Sequence, residues 1–89
     1  MRAIVTVTAK DQVGIIANVA NTLSALQINV LDLSQTILQE YFVMIMLTDI
    51  SKCTISFAEL NEHLRESGEE LGLDIRIQRE DIFNAMHRI

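Results

Sequence analysis

Proline and tryptophan are absent from this chain of 89 residues, cysteine occurs once, and the aromatic side chains are one tyrosine and three phenylalanines. Each shortage excludes something. The lone Cys53 cannot close an internal disulfide, nor supply the CxxC pair that a metal carrier of this size presents. With no proline, repeat, low-complexity stretch or linker, nothing marks a domain boundary, and one domain over residues 1–89 is expected. Basic residues are also few. Seven against twelve acidic ones give a formal net charge of −5, which opposes attraction to phosphate backbones and anionic membrane surfaces. Neither nucleic acid nor membrane is an expected partner. No apolar run approaches the roughly 20 residues that span a bilayer. The N-terminus shows no charged segment followed by an apolar run and a small-residue cleavage site, so with the unpaired thiol a reducing cytoplasm is the expected location.

What the chain does have is aliphatic patterning. Apolar residues make up 49% of it, enough for one modest core of Ile, Val, Leu, Ala and Met. Residues Ala3 to Thr8 alternate, with Ala3, Val5 and Val7 on one face, and predict a strand. After Lys10-Asp11-Gln12-Val13-Gly14, the residues Ile16, Val19, Ala20, Leu23 and Leu26 recur at helical spacing. Gln27-Ile28-Asn29 reads as the turn out of that helix. Val30 to Leu38 alternates again, with Leu31, Leu33 and Ile37 opposed to Asp32, Ser34 and Thr36. A turn near Gln39-Glu40 leads to Phe42–Leu47, apolar on both faces, as expected of a central strand or of one covered by a second subunit. Ser56 and Glu59 form a capping box before a second helix, with Ile55 placed to staple onto Leu60. The stripe of that helix is Phe57, Leu60, Leu64 and Leu71, and Gly72 is its left-handed stop. Leu73, Ile75 and Ile77 then alternate as a fourth strand. In the tail, Ile82, Phe83, Met86 and Ile89 form an apolar stripe with acid at its start and His87 and Arg88 at its end, which suits a short helix.

The order predicts an α+β fold, a ferredoxin-like βαββαβ sandwich: a four-stranded antiparallel sheet with two helices on one face, plus a short C-terminal helix. One sheet face is left open. A domain this small normally covers such a face or edge with a second copy, so a homodimer is expected.

The same architecture hosts enzymes, metal carriers, RNA binders and regulatory modules. A phosphate-binding enzyme of the acylphosphatase kind needs an arginine in the first strand-to-helix loop, where this chain has Lys10 followed by Asp11. An RNA-recognition module needs stacking aromatics on its central strands, and only Tyr41 and Phe42 are near. No catalytic constellation is visible, and no cofactor or metal is expected. What remains is the loop itself. Gly14 permits a close backbone approach, the N–H groups of the following helix start can hold a carboxylate, and Asp11 can accept from an ammonium. Asn29, whose amide both donates and accepts, could close the site from the second side.

The run Thr8-Ala9-Lys10-Asp11-Gln12-Val13-Gly14-Ile15-Ile16 and the later Ile28-Asn29-Val30 resemble the paired signatures of the ACT domain, a regulatory module that commonly binds amino acids. Asp32-Leu33-Ser34-Gln35-Thr36, Glu40-Tyr41-Phe42-Val43-Met44 and the tail from Ile82 to Ile89 resemble a subgroup of small stand-alone ACT proteins, so the similarity covers essentially the whole chain. It implies binding of an amino acid or similar small polar ligand at Asp11, Val13, Gly14, Ile15 and Asn29, usually at a dimer interface. Many family members carry a proline before the glycine, where Val13 stands here. Two alternatives accompany this reading: a ligand-free dimeric module docking on an enzyme or transcriptional regulator as protein partner, and an acyl- or phosphoryl-transfer enzyme.

Plainer roles stand beside each candidate. Asp11 can be a helix cap, Asn29 a turn residue and Gly14 a turn requirement. His63 lies among Glu59, Glu62 and Glu66 on a wet helix face, and Cys53 reads as a packed or loop thiol. The polar row Asp32, Ser34 and Thr36 is a place where a second copy or a ligand can dock.

Overall fold

The computed structural model describes residues 1–10 and 12–81, so Asp11 and the tail residues 82–89, with the helix expected there, lie outside the described residues. Within them the elements run β1 Arg2–Lys10, α1 Ile15–Ala25, β2 Asn29–Leu38, β3 Tyr41–Asp49, α2 Phe57–Leu71 and β4 Asp74–Arg79. The strands form one antiparallel sheet in the order β2-β3-β1-β4. This is the ferredoxin-like arrangement the sequence predicts.

Alternation decides which side of the sheet is dry. Ala3, Val5, Val7 and Ala9 of β1 sit opposite Thr48, Met46, Met44 and Phe42 of β3, while Ile77 and Ile75 of β4 face Val5 and Val7. All of these are buried, in one cluster with Ile15, Val19 and Leu23 of α1 and Leu60 and Leu64 of α2. Both helices therefore cover the same face. The other face carries Thr6, Val43, Ile45 and Leu47 with no helix over it among the described residues. Thr48 is the buried polar member of the core layer, and its hydroxyl donates to the Ala3 carbonyl on the neighbouring strand at 2.9 Å.

Three details differ from the sequence pattern. The buried stripe of α1 is Ile15, Val19 and Leu23, whereas Ile16 is 47% exposed and Ala20 is exposed. The i, i+4, i+8 series starts one residue earlier because the helix begins directly after Gly14, which turns Ile15 into the core. In α2, Gly68 is buried alongside Leu60 and Leu64, one turn before the partly buried Leu71. Strand β2 buries neither face: every one of its residues is exposed, because it is an edge strand and a bulge between Val30 and Asp32 leaves Leu31 without a cross-strand partner. Leu31 thus drops out of phase with Leu33 and Ile37.

Helix ends follow the expected chemistry. Ser56 Oγ accepts from the Glu59 N–H at 3.2 Å, and the partly buried Ile55 packs on the core beneath. At the far end Leu73 N–H reaches the Gly68 carbonyl at 2.7 Å and Gly72 N–H the Glu69 carbonyl at 3.3 Å, with Gly72 left-handed at φ 74. The same double bond closes α1, where Ile28 N–H bonds the Leu23 carbonyl and Gln27 N–H the Ser24 carbonyl, but here the left-handed residue is Gln27, at φ 59. A side chain in that conformation costs roughly 1–2 kcal/mol, and glycine gives back part of the gain through a freer unfolded chain. Gln27→Gly is expected to stabilise the fold by about 0.5–1 kcal/mol, read as a higher urea midpoint with an unchanged slope.

Candidate functional site

The loop between β1 and α1 places Val13, Gly14 and Ile15 in sequence but gives each a different surrounding. Gly14 is left-handed at φ 85 and serves as the N-cap of α1, its carbonyl accepting from Asn18 N–H at 2.9 Å. A Cβ built on Gly14 would meet nothing nearer than Asn18 Nδ2 at 3.8 Å. The glycine is therefore needed for its backbone angle, and the close backbone approach suggested by the sequence is not what it supplies within one chain. Val13 is fully exposed. Ile15 is buried, so its side chain belongs to the core and it has only its N–H to offer a ligand. Asp11, the remaining loop candidate, lies outside the described residues.

No side chain among the described residues caps α1, and no acidic residue occupies its first turn. The N–H groups of Ile15, Ile16 and Ala17 precede the first intrahelical bond, which Asn18 makes. Such an end favours an anion.

Asn29 is not part of this corner. It opens β2 and pairs with Asp49, at the sheet end where β1 begins, whereas Lys10 pairs with Tyr41 at the opposite end. The 11 residues of α1 separate the two, roughly 16 Å at 1.5 Å per residue. Chain direction explains this: α1 runs back along β1, so the residue that follows the helix returns to the strand's starting edge.

At the Asn29 end a cleft of about 550 Å³ opens, lined by Ser24, Gln27, Asn29, Asp49, Ser51 and Lys52 among others. Ser51 N–H donates to Asp49 Oδ1 at 2.9 Å, and this bond holds the Asp49 carboxyl below the usual carboxylate range. No described carboxylate forms an ion pair with Lys52. Of the cleft only Asn29 was legible as a site candidate, because Asp49, Ser51 and Lys52 follow the end of β3 with no motif spacing, and Gln27 reads as an ordinary turn residue.

Other candidates fall to plain roles. Cys53 is partly buried, its thiol donates to the Leu26 carbonyl at 3.1 Å, and burial pushes its pKa up, as in a packed thiol. Glu62 and Glu69 both pair with Arg65 on the exposed face of α2, and His63 is exposed beside them. Among the described residues no cluster of His, Cys, Asp or Glu is placed to hold a metal ion, and no helix is long and apolar enough to cross a membrane.

Comparisons with known proteins match the chain and its fold. The ACT-domain family model matches residues 2–78. A UPF0237 protein of Clostridium acetobutylicum is 55% identical over 89 residues, covering 100% of both chains. Among solved structures, an ACT domain protein from Streptococcus pneumoniae superposes with a TM-score of 0.84 at 39% identity, covering 98% of each chain. A formyltetrahydrofolate deformylase from Pseudomonas putida shares the fold alone, with a TM-score of 0.77 at 14% identity over 91% of this chain and 29% of that one. ACT domains are regulatory, ligand-binding modules, and the chain, matched along nearly its whole length by family model, relatives and structure, belongs to the ACT-domain family beside the UPF0237 proteins.

Proposed function

We propose that this chain is a non-catalytic sensor that binds an amino acid or similar small polar ligand at the Asp11–Ile15 loop, works as a cytoplasmic homodimer, and passes occupancy to a protein partner. The observation that carries the reading is the start of α1, where left-handed Gly14 presents the N–H groups of Ile15, Ile16 and Ala17 and no side chain among the described residues caps them. A ligand carboxylate suits that end.

The separation of Asn29 from the loop supports the dimer. β2 is an edge strand, exposed on both faces along all ten residues, with Leu33 and Ile37 at 47% and 61% exposure. Such an edge invites a second strand. A two-fold axis normal to the sheet pairs β2 with its own copy antiparallel, keeps each residue on its own face, and carries Asn29 of the second copy to the Leu38 end. Leu38 pairs with Tyr41, and Tyr41 with Lys10, the residue that leads into the loop. Two copies thus bring Asn29 to the loop end of the sheet, three strand spacings or roughly 14 Å from β1, a gap for the loop and its ligand to span.

The test is a thermal-shift panel of amino acids at millimolar concentration. A ligand at about 100 times its dissociation constant adds roughly 2.7 kcal/mol to the folded state, and each kcal/mol moves a domain this small by about 4–8 °C. The expected result is a rise for one compound or a narrow group, reduced in Gly14→Ala and Asn29→Ala. Silence across the panel would remove the sensor reading and favour a ligand-free dimeric module, which the exposed β2 edge supports equally well.

A further inference from the structure

We infer that the cleft at the C-terminal end of α1 is a binding site for a small zwitterion complete within one chain, with Asp49 receiving the ammonium, Lys52 the carboxylate, and the amides of Gln27 and Asn29 orienting both. The inference shares Asn29 with the sensor reading but requires neither the Asp11–Ile15 loop nor a second copy.

Shape comes first. At about 550 Å³ the cleft falls within the range of roughly 300–1,000 Å³ usual for small-molecule sites. Its lining then supplies both charges. Asp49 accepts from the Ser51 N–H at Oδ1 and is bonded by the Ser51 side chain as well, so a ligand ammonium would join an anion already held in place. The terminal ammonium of Met1 lies 3.8 Å from Oδ1, so a primary ammonium already rests in the field of this carboxylate. The end of α1 adds partial negative charge on the same side, which favours a cation and disfavours an anion. Lys52 lines the cleft as well, near enough to act on the Asp49 charge yet not joined to it in an ion pair. Lys52 is thus left to a ligand carboxylate, while Asp49, which already holds the Met1 ammonium, has the further acceptor positions of a carboxylate for a second donor.

Gln27 gives an independent sign. It holds a left-handed conformation, φ 59, at a helix end where glycine would sit without strain, and the residue lines the cleft. Strain retained at a position where relief is one substitution away points to a use for the side chain.

The experiment maps backbone amide shifts of ¹⁵N-labelled full chain with L-alanine, and with its single-charge fragments ethylammonium and propionate. L-Alanine is expected to move the amides of Gln27, Asn29, Ser51 and Lys52, and each fragment to bind far more weakly than the zwitterion. Asp49→Asn keeps the acceptor for Ser51 N–H and Lys52→Met keeps the apolar stem, so both retain the fold; each should weaken L-alanine about tenfold, the worth of one charge-assisted hydrogen bond. Gln27→Gly should bind more weakly while unfolding at higher urea. Unmoved cleft amides, or unchanged titrations in both charge variants, would overturn the inference. Shifts confined to Val13, Gly14 and Ile15 would overturn it while upholding the loop site, and shifts confined to the cleft would uphold it against the loop.

Discussion

Gly68→Ala is expected to unfold at a temperature roughly 8–16 °C lower than the parent, a loss of about 2 kcal/mol. On helix propensity alone the change should help, since alanine is favoured over glycine in a helix interior by about 1 kcal/mol. Packing decides otherwise. A Cβ at Gly68 would stand 2.6 Å from the Leu73 carbonyl oxygen, 3.2 Å from Ile75 Cγ1 and 3.3 Å from the Ile75 backbone nitrogen. Two of those three atoms are backbone, and Leu73 is fixed by the 2.7 Å bond that its own N–H makes to the Gly68 carbonyl. The strand cannot retreat without opening the bond that ends the helix. Gly72→Ala is the matched control, because a Cβ there meets nothing within 4 Å while φ is 74. It should cost only the left-handed strain, roughly 1–2 kcal/mol, so calorimetry of the pair separates a cost of space from a cost of conformation.

Leu33→Glu combined with Ile37→Glu is expected to abolish the proposed β2-to-β2 dimer, read as a monomer by light scattering at micromolar concentration where the parent is a dimer. Both side chains are already exposed in the single chain, so the fold should survive and far-UV circular dichroism should not change. In a β2-to-β2 dimer, each lost apolar contact is worth about 1 kcal/mol or more, and Leu33 lies at the middle of the strand, close to the two-fold axis, where two carboxylates would face one another. A dissociation constant raised about 100-fold corresponds to roughly 3 kcal/mol. A dimer that persists in this variant would move the proposed interface to the sheet face that carries no described helix or to β4. The ligand response is informative in the same variant. If the loop needs Asn29 of a second copy, the thermal shift disappears with the dimer, whereas binding in the Asp49–Lys52 cleft survives it.

The fold was readable because its signals are local. Alternation in β1, the apolar run of β3, the Ser56 cap and the Gly72 stop each depend on neighbours a few residues away, and each stands where the pattern puts it. Errors came where a distant part of the chain decides. Whether Ile15 or Ile16 faces the core follows from the angle at which Gly14 releases the helix. The exposure of β2 follows from its place at the sheet edge, and periodicity shows alternation but not position in the sheet. Gly68 carries no hydrophobic signal, although it is a contact point between α2 and β4. For the candidate site the same division holds. The glycine turn was legible, but the distance from Gly14 to Asn29 was not, because adjacency of two motifs in a family signature says nothing of which ends of a helix they occupy. The cleft residues come together only through the pairing of β2 with β3.

Thr48 has a consequence for how the strands find one another. Its hydroxyl is enclosed in the apolar layer and bonded to the carbonyl of Ala3, its direct cross-strand partner. Sliding β1 past β3 by two residues would keep every side chain on its proper face, so alternation alone does not forbid that mistake. An equivalent backbone carbonyl recurs every two residues along β1, so the hydroxyl would find an acceptor in either alignment. The threonine therefore enters the apolar layer at no cost in pairing and leaves the choice of alignment to the fit of the side chains around it.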